Sequence, residues 1–222
     1  MRIRCKPLSV LFKGAIALIG TACLLVQMGL LRGEFSLAPM RYFTLLSNLL
    51  CVIYSACAAV WLLRDPRRGG DEVFCPALKG IQLMGITVTG LIAHFLLAGN
   101  FTMGGPDALA IRGLHYVVPV LVLLDWLLFD RKGWMKPLSP LLWTVFPLAY
   151  FALALIAGAA RLSDFGGSRY PYPFIDVDAR GLPAVLLTAA VLLAFFIALG
   201  YGFYFADRAL ARAARRRDEK SA

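Results

Sequence analysis

Two residues in this chain have the types needed for nucleophilic catalysis in an apolar setting. One is Thr44, in "RYFTLLSNLL" (41–50), and the other is His115, in "RGLHYVVPV" (112–120). A threonine hydroxyl attacks a carbonyl only when a base takes its proton, and neutral imidazole is the usual base. Ser47 and Asn48 follow Thr44 by about one helical turn and could orient the imidazole or donate to a developing oxyanion. Each residue also has a plain structural use. A membrane-helix Thr commonly returns its hydroxyl to a carbonyl one turn back, and Ser and Asn commonly join neighbouring helices. An intramembrane His is rarer and costlier, which marks it as a candidate for function.

The elements that must position these residues are apolar helices. The chain has 222 residues, of which 60% are hydrophobic and 16% charged, and a mean hydropathy of +0.73. Those values exclude an ordinary soluble domain. A hydrocarbon core of about 30 Å needs about 20 apolar residues per helical crossing. Six such runs are predicted, at about 10–31, 42–63, 79–98, 113–129, 140–160 and 182–205. The connections are short, so residues 1–222 are expected to form a single all-α domain, a bundle of six transmembrane helices. The first run is too long for the apolar centre of a secretory signal and reads as a retained helix, a cleaved signal being the minor alternative.

Charge orders the bundle. The N-terminal segment, the connections around 64–79 and 130–139, and the C-terminal tail hold 17 of the 23 Lys and Arg residues; the alternate connections hold 6. Cytoplasmic loops carry the positive excess, so both termini are expected inside, in a multi-pass plasma-membrane protein. The tail "RALARAARRRDEK" then needs no nucleic acid; anionic lipid headgroups are its expected partners. The five Cys avoid the predicted outer loops and form no CxxC, so neither a disulfide nor a metal site is expected. Gly80, Gly85, Gly90, Ala154 and Gly158 are spaced for close helix packing.

With this orientation Thr44 lies roughly 5 Å below the outer end of its helix, and His115 enters the fourth helix at nearly the same level. His94, in "LIAHFLLAG", arrives there from the third helix and reads as a helix–helix hydrogen-bonding residue near the pocket. Asp125, ten residues after His115, lies about 15 Å deeper. It is expected to pair with a cation or another helix. Asp176 or Asp178, in the outer connection, is better placed to orient His115. The same connection carries "YPYPF" (170–174), an interfacial anchor or a rigid cover over an entrance between the second and fourth helices.

The order of these motifs is that of a known family. Thr44 in "YFTLLSN", His115 in "LHYVVPVLVLLDW" and "YPYPFIDV" before a last helix resemble the androgen-induced six-helix membrane proteins. That family includes hydrolases of fatty acid esters of hydroxy fatty acids. The resemblance implies Thr44 as nucleophile and His115 as its catalytic histidine. It matches Asp125 to an acidic position and Tyr172, Pro173 and Phe174 to an aromatic-proline motif. The implied activity is hydrolysis of a lipid ester, with membrane lipids as surroundings and no metal or cofactor. The other reading is a non-enzymatic protein that binds a lipid or passes a small solute through the same pocket. Polar residues confined to one level favour a one-sided pocket over a pore.

Overall fold

A computed structural model of the chain describes residues 3–97 and 105–221. Among these residues six helices are long and apolar enough to cross a membrane: α1 (Lys6–Gln27), α2 (Phe43–Arg64), α3 (Pro76–Leu97), α4 (Gly105–Leu128), α5 (Ser139–Ala159) and α6 (Leu182–Ser221). No strand occurs among the described residues, and the chain is an all-helical, multi-pass membrane protein. Exposed Leu11, Leu18, Phe95, Leu153 and Leu187 on the bundle exterior suit a lipid surround, where helices satisfy their own backbone groups. Arg2, counted among the N-terminal cations, and Ala98, the last residue of the third predicted run, lie outside the described residues.

Starts and stops follow local chemistry. Pro sits in the first turns of α1, α3 and α5, where its missing N–H costs nothing. That is why α1 and α3 begin earlier than their apolar runs. Two helices are irregular: Ala93–Leu97 in α3 and Gly113–Val117 in α4 are π-helical. Pro119 follows the second segment and cannot donate to the carbonyl four residues back, that of His115, which favours a local widening of the helix.

The chain alternates direction, so one end gathers the start of α1, the end of α2, the start of α3 and the end of α4. Hydrogen bonds tie this basic end together: Ile3 N–H donates to the Leu128 carbonyl at 2.8 Å, Lys6 Nζ to the Asp65 carbonyl at 2.8 Å, and Arg131 N–H to the Asp71 carbonyl at 2.7 Å. Trp61, Trp126, Trp134 and Trp143 all belong to elements at this end. Trp143 fills a notch over Gly80, where a Cβ would fall 1.9 Å from the indole nitrogen.

Just inside the basic end lies a buried ionic cluster. Asp125 takes a hydrogen bond from Lys13 Nζ at 2.7 Å through one carboxylate oxygen and from Lys79 Nζ at 2.7 Å through the other. Lys79 also lies 3.5 Å from Asp130. The cluster ties α1, α3 and α4 with two positive and two negative side chains. It also corrects the charge reading: Lys13 and Lys79, counted as loop cations, are 3% and 0% exposed inside their helices.

Candidate active site

At the opposite end, Tyr42 is extended and offers no side-chain cap to α2, so the first amides of the helix have no partner within it. Thr44 is the second residue of α2, and Phe43 before it is clamped by the rings of Phe146 and Tyr150, at 5.1 and 5.2 Å between centroids. On α4, the π-helical segment carries His115 inward, leaving the residue 8% exposed. Gly90 on α3 permits that segment to approach: a Cβ there would lie 3.2 Å from the His115 carbonyl and 3.3 Å from Pro119.

Thr44 Oγ1 lies 3.1 Å from His115 Nε2. His115 Nδ1 lies 2.9 Å from the Ile111 carbonyl. A carbonyl only accepts, so Nδ1 carries the ring proton and donates to Ile111. In a neutral imidazole this leaves the lone pair on Nε2, where it accepts from the Thr44 hydroxyl. The orienting group that sequence reasoning sought among the aspartates is therefore a main-chain oxygen one turn back on the same helix.

The supporting residues take different places. Asn48 Nδ2 donates to the Thr44 carbonyl at 2.8 Å and to the Leu114 carbonyl at 3.1 Å. Both acceptors are carbonyls, which fixes the amide orientation. Asn48 thus ties α2 to the residue before His115, while its Oδ1 is buried with no hydrogen-bond partner among the described residues. Ser47 Oγ donates to the Thr44 carbonyl at 3.0 Å and lies 2.7 Å from Thr89 Oγ1. Both residues brace the backbone of Thr44. His94 lies apart from them: it is exposed, with its ring against Phe95 at 4.9 Å and Tyr116 at 6.3 Å.

Asp176 is also elsewhere. One of its oxygens accepts from the amides of Asp178 and Ala179, capping the short helix Val177–Arg180, and the other accepts from Ser168 Oγ at 2.7 Å. Asp178 pairs with Arg169. These bonds organise the 161–181 connection, and this corrects the expectation that either acid orients the imidazole.

A cleft of about 750 Å³, its mouth included, lies between α2, α3, α5, α6 and the 161–181 connection. Thr44, Thr89, Tyr150 and Tyr172 are its hydroxyl-bearing residues among those described; the rest of that lining is apolar and carries no charged side chain. Thr44 forms part of the wall and His115 does not, so the imidazole approaches the hydroxyl from behind. The aromatic-proline motif covers a different entrance from the one expected, facing α5 and α6 as well as α2. Tyr172 packs edge-on to Tyr42 at 5.9 Å and stacks on Phe174 at 5.2 Å, with Pro173 opening a single turn between them. Burial pushes the Tyr172 phenol up, while the polar groups of Thr44 and Phe43 beside it oppose that shift. The hydroxyl of Tyr172 therefore sits beside the first amides of α2.

Sequence reasoning missed Ile111, Thr89 and Tyr150. Tyr150 crosses from α5 to donate to the Arg41 carbonyl at 2.9 Å. The one available signal was Pro119, four residues after His115, which marks a helix irregularity at the histidine. Among the described residues no group of His, Cys, Asp and Glu could hold a metal ion. No protein-family model, curated protein or solved structure matches this chain, so its chemistry is read from the site alone.

Proposed function

We propose that this protein is an intramembrane threonine hydrolase of lipid acyl esters. The observation that carries the reading is the buried Thr44–His115 hydrogen bond, with the histidine proton committed to Ile111 and the hydroxyl on the wall of an apolar cleft. The acyl chain lies in the cleft and the ester carbonyl meets Thr44. As Oγ1 bonds to the carbonyl carbon, its proton passes to His115 Nε2. The imidazolium then protonates the departing alcohol, leaving an acyl-threonine. Water delivers its proton to Nε2 and hydroxide to the acyl carbon; as the acyl–Oγ1 bond breaks, the imidazolium returns that proton to Oγ1, releasing the fatty acid and restoring Thr44. The amides of Phe43 and Thr44, at the positive end of α2, are the donors for the oxyanion once Tyr172 yields its place.

The sidedness belongs to the same proposal. The excess of cations at the basic end supports both termini in the cytoplasm and the cleft toward the outer leaflet of the plasma membrane. A reporter fused after Ala222 should read cytoplasmic and one within 161–181 external.

The second reading, a lipid-binding protein without turnover, is favoured by the apolar lining of the cleft. A lipophilic fluorophosphonate separates the two. Labelling of the wild type at Thr44, lost in Thr44→Val of equal yield, supports the hydrolase. Equal labelling of both proteins would remove Thr44 as nucleophile.

A further inference from the structure

A second cleft lies at the basic end, far along the chain from Thr44. It spans about 520 Å³, its mouth included, between the end of α6 and the turn after α4, and is lined by Gly133, Met135, Arg208, Ala211, Arg212 and Arg215. The three arginines fall at i, i+4 and i+7, so they share one helix face beside the turn. Among the described residues no carboxylate pairs with any of them. The nearest acid in sequence, Asp207, is committed elsewhere: it accepts from Gly133 N–H at 2.8 Å and Met135 N–H at 3.3 Å, which fixes the opposite wall of the cleft. Gly133 has φ +90°, and a Cβ there would press to 3.3 Å from Ala211, so a glycine lets the turn approach α6. Arg208 is held at the rim by the Tyr204 hydroxyl, 2.6 Å from its guanidinium.

Depth narrows the ligand. The apolar part of α6 ends at Phe203–Ala206, and Trp126 meets Phe203 edge-on at 5.4 Å just below the cleft. Aromatic side chains of this kind gather at the membrane–water boundary. Three converging arginines at that level match the oxygens of a phosphate group, which guanidinium binds through paired N–H donors.

We infer that Arg208, Arg212 and Arg215 form a binding site for one phosphate group at headgroup depth, the phosphate of an anionic phospholipid or a free phosphate. This differs from diffuse attraction of a basic tail to a charged surface, which depends on the number of cations and not on which ones. The inference is independent of the hydrolase reading.

The test uses the full-length protein in nanodiscs of phosphatidylcholine, with and without phosphatidylglycerol, and reads retained lipid by native mass spectrometry. A triple variant, Arg208→Gln/Arg212→Gln/Arg215→Gln, is compared with a charge-matched control outside the cleft, Arg64→Gln/Arg67→Gln/Arg216→Gln. Diffuse attraction contributes about 1 kcal/mol per cation wherever it lies near the surface, so it predicts equal losses in the two triples. The site predicts a loss of phosphatidylglycerol retention at least about tenfold greater in the cleft triple than in the control. Arg212→Lys, which keeps the charge but not the fork, should lose part of the retention and guards against misfolding of the triple. Inorganic phosphate added to phosphatidylcholine nanodiscs identifies the source. Saturable binding that the cleft triple abolishes assigns the site to free phosphate, and its absence beside selective phosphatidylglycerol retention assigns it to the lipid. Equal losses in both triples, or no phosphate or phosphatidylglycerol binding by the wild type, would overturn the site.

Discussion

The two ends of the bundle bury polar groups in opposite ways. At the basic end, Asp125 spends each of its oxygens on a lysine at 2.7 Å, and Lys13 and Lys79 are neutralised in turn. None of these residues lines the cleft beside Thr44. At the other end, Thr44 and His115 share one neutral hydrogen bond, and the hydroxyl keeps an open face on that cleft. Charges removed from water need saturated partners, and such saturation leaves nothing free to react. A neutral pair tolerates burial at little cost and keeps a lone pair and a proton available. The ionic cluster therefore holds the helices, and the neutral pair is the candidate for chemistry.

Substitution can break this comparison. The largest effect is expected at the neutral pair: Thr44→Val and His115→Ala should each lower ester turnover by about 10³-fold or more at normal yield, and the double variant little further. Thr44→Ser keeps the hydroxyl and should retain part of the rate. Preserved turnover in a folded Thr44→Val protein would leave the pair with packing alone to explain it.

Next comes Asp125→Ala, which strands the buried Lys13 ammonium and leaves Lys79 only Asp130 at 3.5 Å; it should cost about 3–5 kcal/mol, read as a lower melting temperature in detergent. Lys13→Met combined with Asp125→Asn, which leaves Lys79 to Asp130, should recover much of that loss. If Asp125→Ala melts like the wild type but abolishes turnover, the division between the two ends fails.

Asn48→Ala should come third. It deletes one hydrogen bond within α2 and one between α2 and α4, and bonds between helices in bilayers contribute on the order of 1 kcal/mol. Stability should fall by that order while kcat falls more than KM rises, because the bond holds Thr44 against the histidine segment. A loss of stability as large as that of Asp125→Ala would place Asn48 with the scaffold.

The smallest effect concerns the cover. Burial works against the charge of Asp176, but the Ser168 hydroxyl and the amides of Ala179 and Asp178 outweigh it and hold the carboxyl below the usual carboxylate range. A depressed folded value means the stabilisation is present above the unfolded pKa of about 4 and is lost as pH falls through the folded one. Hydrogen exchange in 168–181 should therefore rise at the acid end of that window. Asp176→Ala, which removes a cap worth about 1 kcal/mol, should show the faster exchange already at neutral pH. Exchange indifferent to both would separate the cap from the cover.

Much of this was legible in the sequence, for identifiable reasons. Six helices could be counted because the bilayer imposes a length on each apolar run. Thr44 and His115 could be placed at one level because successive crossings alternate direction, so the starts of the second and fourth helices lie at the same end. Lys13 and Lys79 misled for the same reason: a lysine near a helix end reads as an interfacial cation, and only tertiary packing reveals that two of them converge on Asp125. Ile111 was illegible because the acceptor is a backbone carbonyl, which every residue has. Asp176 attracted attention as an acid but serves as a cap, a use written in the amides after it. The cleft belongs to four helices and a connection, and no periodicity within one helix records it.

The distribution of indoles has a spectroscopic consequence. All four tryptophans belong to elements at the basic end, at Trp61, Trp126, Trp134 and Trp143, while Tyr42, Tyr150 and Tyr172 surround Thr44 at the other. Excitation at the red edge of protein absorbance therefore produces emission from one leaflet only. In sealed proteoliposomes of uniform insertion, brominated lipid confined to one leaflet would quench that emission from one side and spare it from the other. Its unlabelled native fluorescence is a built-in gauge of which membrane face the basic end occupies.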